Sequence, residues 1–145
     1  MAEPDEFLDI FSEFNIAVVA DDLAQESRQF RTDVPSGIDP LEQLAQQWQD
    51  FDGCPLALNE DKPRGQMLID MTKKYNADAV VICMMRFCDP EEFDYPIYKP
   101  EFEAAGVRYT VLDLDIESPS LEQLRTRIQL LEFSKNRLIH QHLAD

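Results

Sequence analysis

The chain has 145 residues, enough for one domain with a core of its own. It carries 13 Lys and Arg against 29 Asp and Glu, a net charge of −16. That balance excludes the phosphate contacts of nucleic-acid binding and disfavours anionic membrane surfaces, and no apolar run approaches the roughly 20 residues of a membrane-spanning helix.

The start, Met1-Ala2-Glu3-Pro4-Asp5-Glu6, is acidic and lacks the basic and apolar regions of a signal peptide, which predicts a cytoplasmic location. Phe7, Leu8, Ile10, Phe11 and Phe14 recur at helical spacing and predict a first helix up to Glu13. Ile16 to Ala20 is a short apolar run and reads as the first strand. Residues 21–39 are polar, contain Pro35 and Gly37, and read as a loop with room for one helical turn. Leu41, Leu44, Ala45 and Trp48 predict a second helix, opened by Asp39-Pro40 and ended by Asp52-Gly53-Cys54-Pro55. Met67, Leu68, Met71 and Tyr75 mark a third helix, with Pro63 near its start.

Ala79 to Met85 is apolar throughout, as suits a central strand covered on both faces. A short helix is expected after Asp89 and another from Pro100 to Ala105, stopped by Gly106. Val107 to Leu114 reads as the third strand. Pro119-Ser120 opens a long last helix with Leu121, Leu124, Ile128 and Leu131 on one face. Strands alternating with helices predict a single α/β domain over residues 1–145, a short parallel sheet flanked by helices in three layers with right-handed crossovers.

The chemistry gathers at Cys88. It follows the central strand and precedes a helix start, where Asp89 can cap, Pro90 falls at the first helical position and Glu92 can reach back. In an open α/β sheet this turn lies at the carboxyl ends of the strands, where ligands bind. The thiol has three possible roles: inert, nucleophile or metal ligand. The acids around it, Asp89, Glu91, Glu92 and Asp94, oppose a thiolate, and a metal would relieve that opposition. Cys83, inside the strand, reads as a small core hydrophobe. Cys54, in a loop, is a weaker ligand candidate. An odd number of cysteines does not read as a disulfide framework, and their spacings match no compact ferredoxin-like run. His140 and His142 read as exposed residues of the last helix. Gly53, Gly65 and Gly106 form no phosphate-cradling loop, so the pattern does not read as a nucleotide binder. Asp21, Asp22, Ser27 and Arg28 follow the first expected strand, and their ordinary reading is capping and a surface ion pair.

The segment Phe87-Cys88-Asp89-Pro90-Glu91-Glu92-Phe93-Asp94-Tyr95-Pro96 resembles the cluster-binding segment of the 2-hydroxyacyl-CoA dehydratase and benzoyl-CoA reductase family. Ala20-Asp21-Asp22-Leu23, followed by Ser27-Arg28-Gln29-Phe30, resembles that family's strand-end segment. Asp33-Val34-Pro35 and Asp39-Pro40-Leu41 come at similar spacing, and Ser120 to Arg127 resembles the start of the last helix. The similarity runs from Phe7 to Phe133.

The resemblance implies a flavodoxin-like fold, and a chain similar to the C-terminal domain of a longer subunit, inactive in isolation. It implies Cys88 as one ligand of a 4Fe-4S cluster whose other ligands lie in domains outside this chain. Asp21, Asp22, Ser27 and Arg28 would then support the cluster or touch an acyl-CoA substrate. The implied partners are a homologous second subunit and an ATP-hydrolysing iron–sulfur activator that delivers one low-potential electron. The resemblance leaves dehydratase and reductase open. An alternative is a cofactor-free flavodoxin-like interaction domain with an acidic docking face. On the first reading, Asp21, Asp22, Ser27 and Cys88 should line one rim of the domain.

Overall fold

In the computed structural model, which describes residues 5–37, 39–57, 59–115 and 120–142, the centre is a pair of parallel strands, β1 (Val80–Met85) and β2 (Tyr109–Leu114). The register runs from Val80 opposite Tyr109 to Met85 opposite Leu114. Side chains alternate across a strand, so each face of this ribbon collects its own apolar cluster. Val81, Cys83, Met85, Leu112 and Leu114 point to one face. There they meet Phe7, Ile10 and Phe11 of α1 (Asp5–Glu13) and Leu124 and Ile128 of α6 (Leu121–His142). Val80, Ile82, Met84, Tyr109 and Val111 point to the other. Ile69 of α4 (Arg64–Lys74) and Tyr98 and Phe102 of α5 (Asp89–Ala105) cover them. The expectation of a strand covered on both faces holds for β1. Gly65 lets α4 and α5 approach closely, since a Cβ there would lie 2.7 Å from Tyr98 Cβ.

Three expectations need correction. Ile16 to Ala20 forms no strand: after a bond from Ile16 N to Phe11 O (2.8 Å), the run lies outside the ladder, with Val18 and Val19 exposed. Apolar β-branched residues fit a pleated surface, but a ladder also needs a neighbouring strand in register, and none among the described residues flanks this run. The described residues therefore hold two strands, where the periodicity predicts three.

The second correction concerns α5. The two short helices expected after Asp89 and Pro100 are one helix of 17 residues with Pro96 and Pro100 inside it. Each proline removes one helical hydrogen bond. Burial of Asp94, Tyr98 and Phe102, four residues apart on one face, keeps the helix continuous. The helix ends as expected at Gly106, φ +68°, a left-handed position that glycine adopts at little cost.

Third, the cap of α5 is shifted by one residue. Cys88 itself is the N-cap, without a side-chain cap bond, and Asp89 and Pro90 are the first helical residues, so the expected capping box is not formed. The single turn expected within residues 21–39 is α2 (Ser27–Phe30), and the second expected helix is α3 (Pro40–Gln49), capped by Asp39 through Leu41 N at 2.8 Å. Pro119 lies outside the described residues, as do the side chains of His140 and His142.

Candidate functional site

Cys88 stands where β1 turns into α5. Its N–H donates to Met85 O at 3.1 Å and its carbonyl accepts from Glu92 N at 3.0 Å, which closes the first turn of the helix. Phe87, just before it, has φ +65° and is 93% exposed. A non-glycine residue in that region is strained, by roughly 1–3 kcal/mol, and persists only where the surroundings hold it. The thiol is half-buried, so it sits at the rim and not in the core.

One turn further, Glu91 leads into a buried cluster of charges. Asp22 is its centre. Arg28 Nη2 lies 3.1 Å from Asp22 Oδ2, and Arg64 Nη2 lies at the same distance from that oxygen. Arg31 donates to the other oxygen, Oδ1. Arg28 Nη2 also donates to the Asp22 carbonyl at 2.6 Å. Glu91 completes the group, its Oε1 3.4 Å from Arg28 Nη2 and its Oε2 2.8 Å from Arg64 Nη1. The side chains of Asp22 and Arg64 are each 9% exposed and that of Arg28 is 7% exposed. Burial works against the charge of Arg28, but Asp22, Glu91 and nearby Cys54 outweigh it and raise its pKa above the ordinary arginine value.

Three guanidiniums against two carboxylates leave the cluster with one excess positive charge, inside a chain of net charge −16. Arg64 is incompletely satisfied. Its Nη1 approaches Glu91 off the hydrogen-bond direction, and its Nε is buried with no hydrogen-bond partner. The Tyr98 ring lies beneath it, 5.9 Å from the guanidinium carbon.

The structure brings Asp21, Asp22, Ser27 and Arg28 together, and divides them by role. Asp21 Oδ1 accepts from Leu23 N at 3.2 Å and Ser27 N at 3.1 Å, and the Ser27 hydroxyl donates back to the Asp21 carbonyl. These two residues build a local turn. Burial pushes the Asp21 carboxyl up, and the hydrogen bonds from Leu23 and Ser27 outweigh it, leaving the group below its usual pKa. Arg28 and Asp22 are not the surface pair that the residues suggest, because both side chains are buried. Cys88 reaches this group through Glu91, three residues along its own helix. Cys54 is half-buried and close enough to Arg28 to influence it, whereas Cys83 packs against the core on the α1 and α6 face. None of the three cysteines forms a disulfide.

Sequence reasoning missed Arg31, Arg64 and the part played by Glu91. A signal existed for Arg64: a cation at the first position of a helix opposes the helix dipole and asks for a specific counter-ion.

The model of the family described as 2-hydroxyglutaryl-CoA dehydratase, D-component, matches residues 1–131. The chain is 53% identical over 130 residues to lactoyl-CoA dehydratase subunit beta of Anaerotignum propionicum, covering 89% of this chain and 35% of that protein. It is 41% identical over 129 residues to the (R)-phenyllactyl-CoA dehydratase beta subunit of Clostridium sporogenes, covering 89% of this chain and 34% of that one. To (R)-2-hydroxyglutaryl-CoA dehydratase subunit beta of Acidaminococcus fermentans it is 30% identical over 118 residues, 79% of this chain and 31% of that protein. The chain thus spans about a third of the length of these relatives. No helix among the described residues is long and apolar enough to cross a membrane.

Proposed function

The chain belongs to the 2-hydroxyglutaryl-CoA dehydratase D-component family, and from that premise we propose that it is the cluster-binding part of a 2-hydroxyacyl-CoA dehydratase subunit. Cys88 supplies one ligand of a 4Fe-4S cluster, and the remaining ligands come from elsewhere in the assembly. The domain is flavodoxin-like, with the helices on either face of the parallel strands as its outer layers. Dehydration is favoured over benzoyl-CoA reduction because the three relatives named above are all dehydratase subunits by name. The substrate is an acyl-CoA thioester with a 2-hydroxyl group. The partners are a homologous second subunit and an ATP-dependent activator.

The placement of Cys88 carries this reading. The half-buried Cys88 stands three residues past the end of β1, after a strained turn, and the next helical turn is anchored by Glu91 to two buried guanidiniums. The residues fit a shared cluster. Among the described residues no three of His, Cys, Asp and Glu gather as a metal-holding group, and on this reading Cys88 is one ligand of a cluster that other ligands complete. An iron–sulfur cluster bound there would supply the single electron that makes loss of the 2-hydroxyl group feasible. The chain's own residues do the positioning: Met85 and Glu92 hold the Cys88 backbone, and Arg28 and Arg64 hold the helix start through Glu91.

The test uses a subunit of the relatives' length in which these 145 residues replace the matching third of lactoyl-CoA dehydratase subunit beta, purified without oxygen. Cys88→Ser is expected to lower its iron content and its turnover together. Cys83→Ser should keep the iron and cost only stability. A Cys88→Ser subunit with unchanged iron and turnover would sink the assignment. The 145-residue chain alone is expected to hold no stable cluster after anaerobic reconstitution, read from its visible spectrum, and to keep its thermal melt when a chelator is added.

A further inference from the structure

Helix α3 is built with its polar side inward. Its ten residues bury nothing, although isolated helices of such length are marginal in water. The side chains that tie it to the body are glutamines. Gln43 Nε2 donates to Pro35 O at 2.8 Å and Gln47 Nε2 to Thr32 O at 2.7 Å. Leu41, Leu44 and Trp48 stand about 110° around the helix from that pair, at about 100° per residue. They are 77%, 47% and 73% exposed. The Trp48 ring packs on Phe51, with 5.6 Å between centroids, so the apolar row continues past the helix end. Glu42 is the only charged residue of the helix.

Single exposed hydrophobes are ordinary, but a row of leucine and tryptophan on a helix pinned by its polar side marks a surface that something covers. We infer that Leu41, Leu44, Trp48 and Phe51 dock an uncharged, apolar surface of the same polypeptide, from the part of a relative-length subunit that lies outside these residues. Three observations select that occupant. The four side chains are uncharged, and Glu42, the one charge of the helix, lies about 130° around it from Leu41, Leu44 and Trp48 at about 100° per residue, so their counterpart is apolar. A second copy would also carry −16, and that repulsion opposes self-association. Finally, the chain covers only 35% and 34% of relatives to which it is 53% and 41% identical. A subunit of that size has the remaining length available at high effective concentration. The inference rests on the proposed reading only in taking the chain as part of such a subunit. It needs no iron, so loss of the Cys88 assignment would leave it standing.

Trp48 is the single tryptophan, which makes the face its own reporter. In the 145-residue chain its fluorescence should be that of a hydrated indole, freely quenched by acrylamide and independent of protein concentration. In the relative-length subunit, with its other tryptophans changed to Phe, the emission should shift to the blue and the quenching constant should fall several-fold. Leu44→Lys should leave the melt of the short chain unchanged and restore quenching in the long one. If the long subunit fails to fold, its remaining part is produced separately and titrated into the short chain, where the same blue shift is expected and Leu44→Lys should abolish it. A Trp48 equally quenchable in the folded long subunit overturns the inference. So does protection that grows with concentration of the short chain, which would mean a second copy, or protection that appears only on adding the second subunit. Absence of any shift in the titration overturns it as well.

Discussion

The sheet and the charge cluster hold the same turn by different physics. Around β1 and β2, each face is sealed by its own apolar cluster, with Ile10, Leu112 and Ile128 fully buried on one side and Phe102 on the other. That attraction is non-directional and follows the area removed from water. At the carboxyl end of β1 stand the buried side chains of Asp22, Arg28 and Arg64 with the half-buried Glu91, and their attraction is repaid only when geometry and partners are complete. Apolar clusters tolerate a volume-conserving exchange, whereas removing a buried member of the charge cluster leaves its partners uncompensated. Positional control at the Cys88 turn therefore comes from the charged region, and most of the stability comes from the sheet.

Four substitutions test that division, from the largest effect to the smallest. Phe102→Ala empties the centre of the α4 and α5 face, where Phe102 packs on the rings of Tyr98 and Tyr109, and should cost about 4 kcal/mol in urea unfolding. A cost under about 1 kcal/mol would mean that this face is not a packed core. Asp22→Asn removes the one carboxylate that contacts all three arginines and should cost about 3 kcal/mol by the same measurement. Unchanged stability would reduce the cluster to a surface pair.

Gly65→Ala probes the seam between α4 and α5. The new methyl would clash with Glu101 Oε2 and meet Tyr98 Cβ at 2.7 Å. Glu101 is exposed and can swing away, but Tyr98 is buried and cannot. Overpacking outweighs the better helix propensity of alanine, for a net loss of about 1–2 kcal/mol. A more stable variant would show that the helices can separate freely.

The smallest effect is in pH dependence. Asp21 has a folded pKa below the usual carboxylate value, because the hydrogen bonds from Leu23 and Ser27 outweigh its burial, so it adds stability that is fully present above that usual value. The contribution fades as the pH falls through the lower folded pKa. Asp21→Asn should flatten the acid limb of the stability curve below about pH 4 and leave the rest unchanged. An identical acid limb in both proteins would show that the bonds from Leu23 and Ser27 do not persist in solution.

Much of this was legible in the residues. The continuous apolar run before Cys88 predicted β1, and the three- and four-residue spacings predicted α1, α3, α4 and α6. The errors share a cause. Ile16 to Ala20 has strand composition but no strand beside it among the described residues, and the two short helices expected after Asp89 and from Pro100 are one, because the burial that keeps α5 continuous is invisible locally. α3 has a clean apolar period, which normally marks the inward face, yet here that face looks out.

By itself, the sequence determined α1, α3, α4, α6 and the two strands of the sheet, and that a cysteine stands at a strand-to-helix turn, because capping, propensity and side-chain period act over a few residues. Tertiary structure alone decided the rest. Arg64 finds Asp22 from 42 residues away and Arg28 finds Glu91 across 63, contacts that depend on how β1 and its flanking helices cross in space. Local residues carry no record of such a crossing. The exposure of α3 is of the same kind, since a helix's own pattern names an apolar face without naming what covers it.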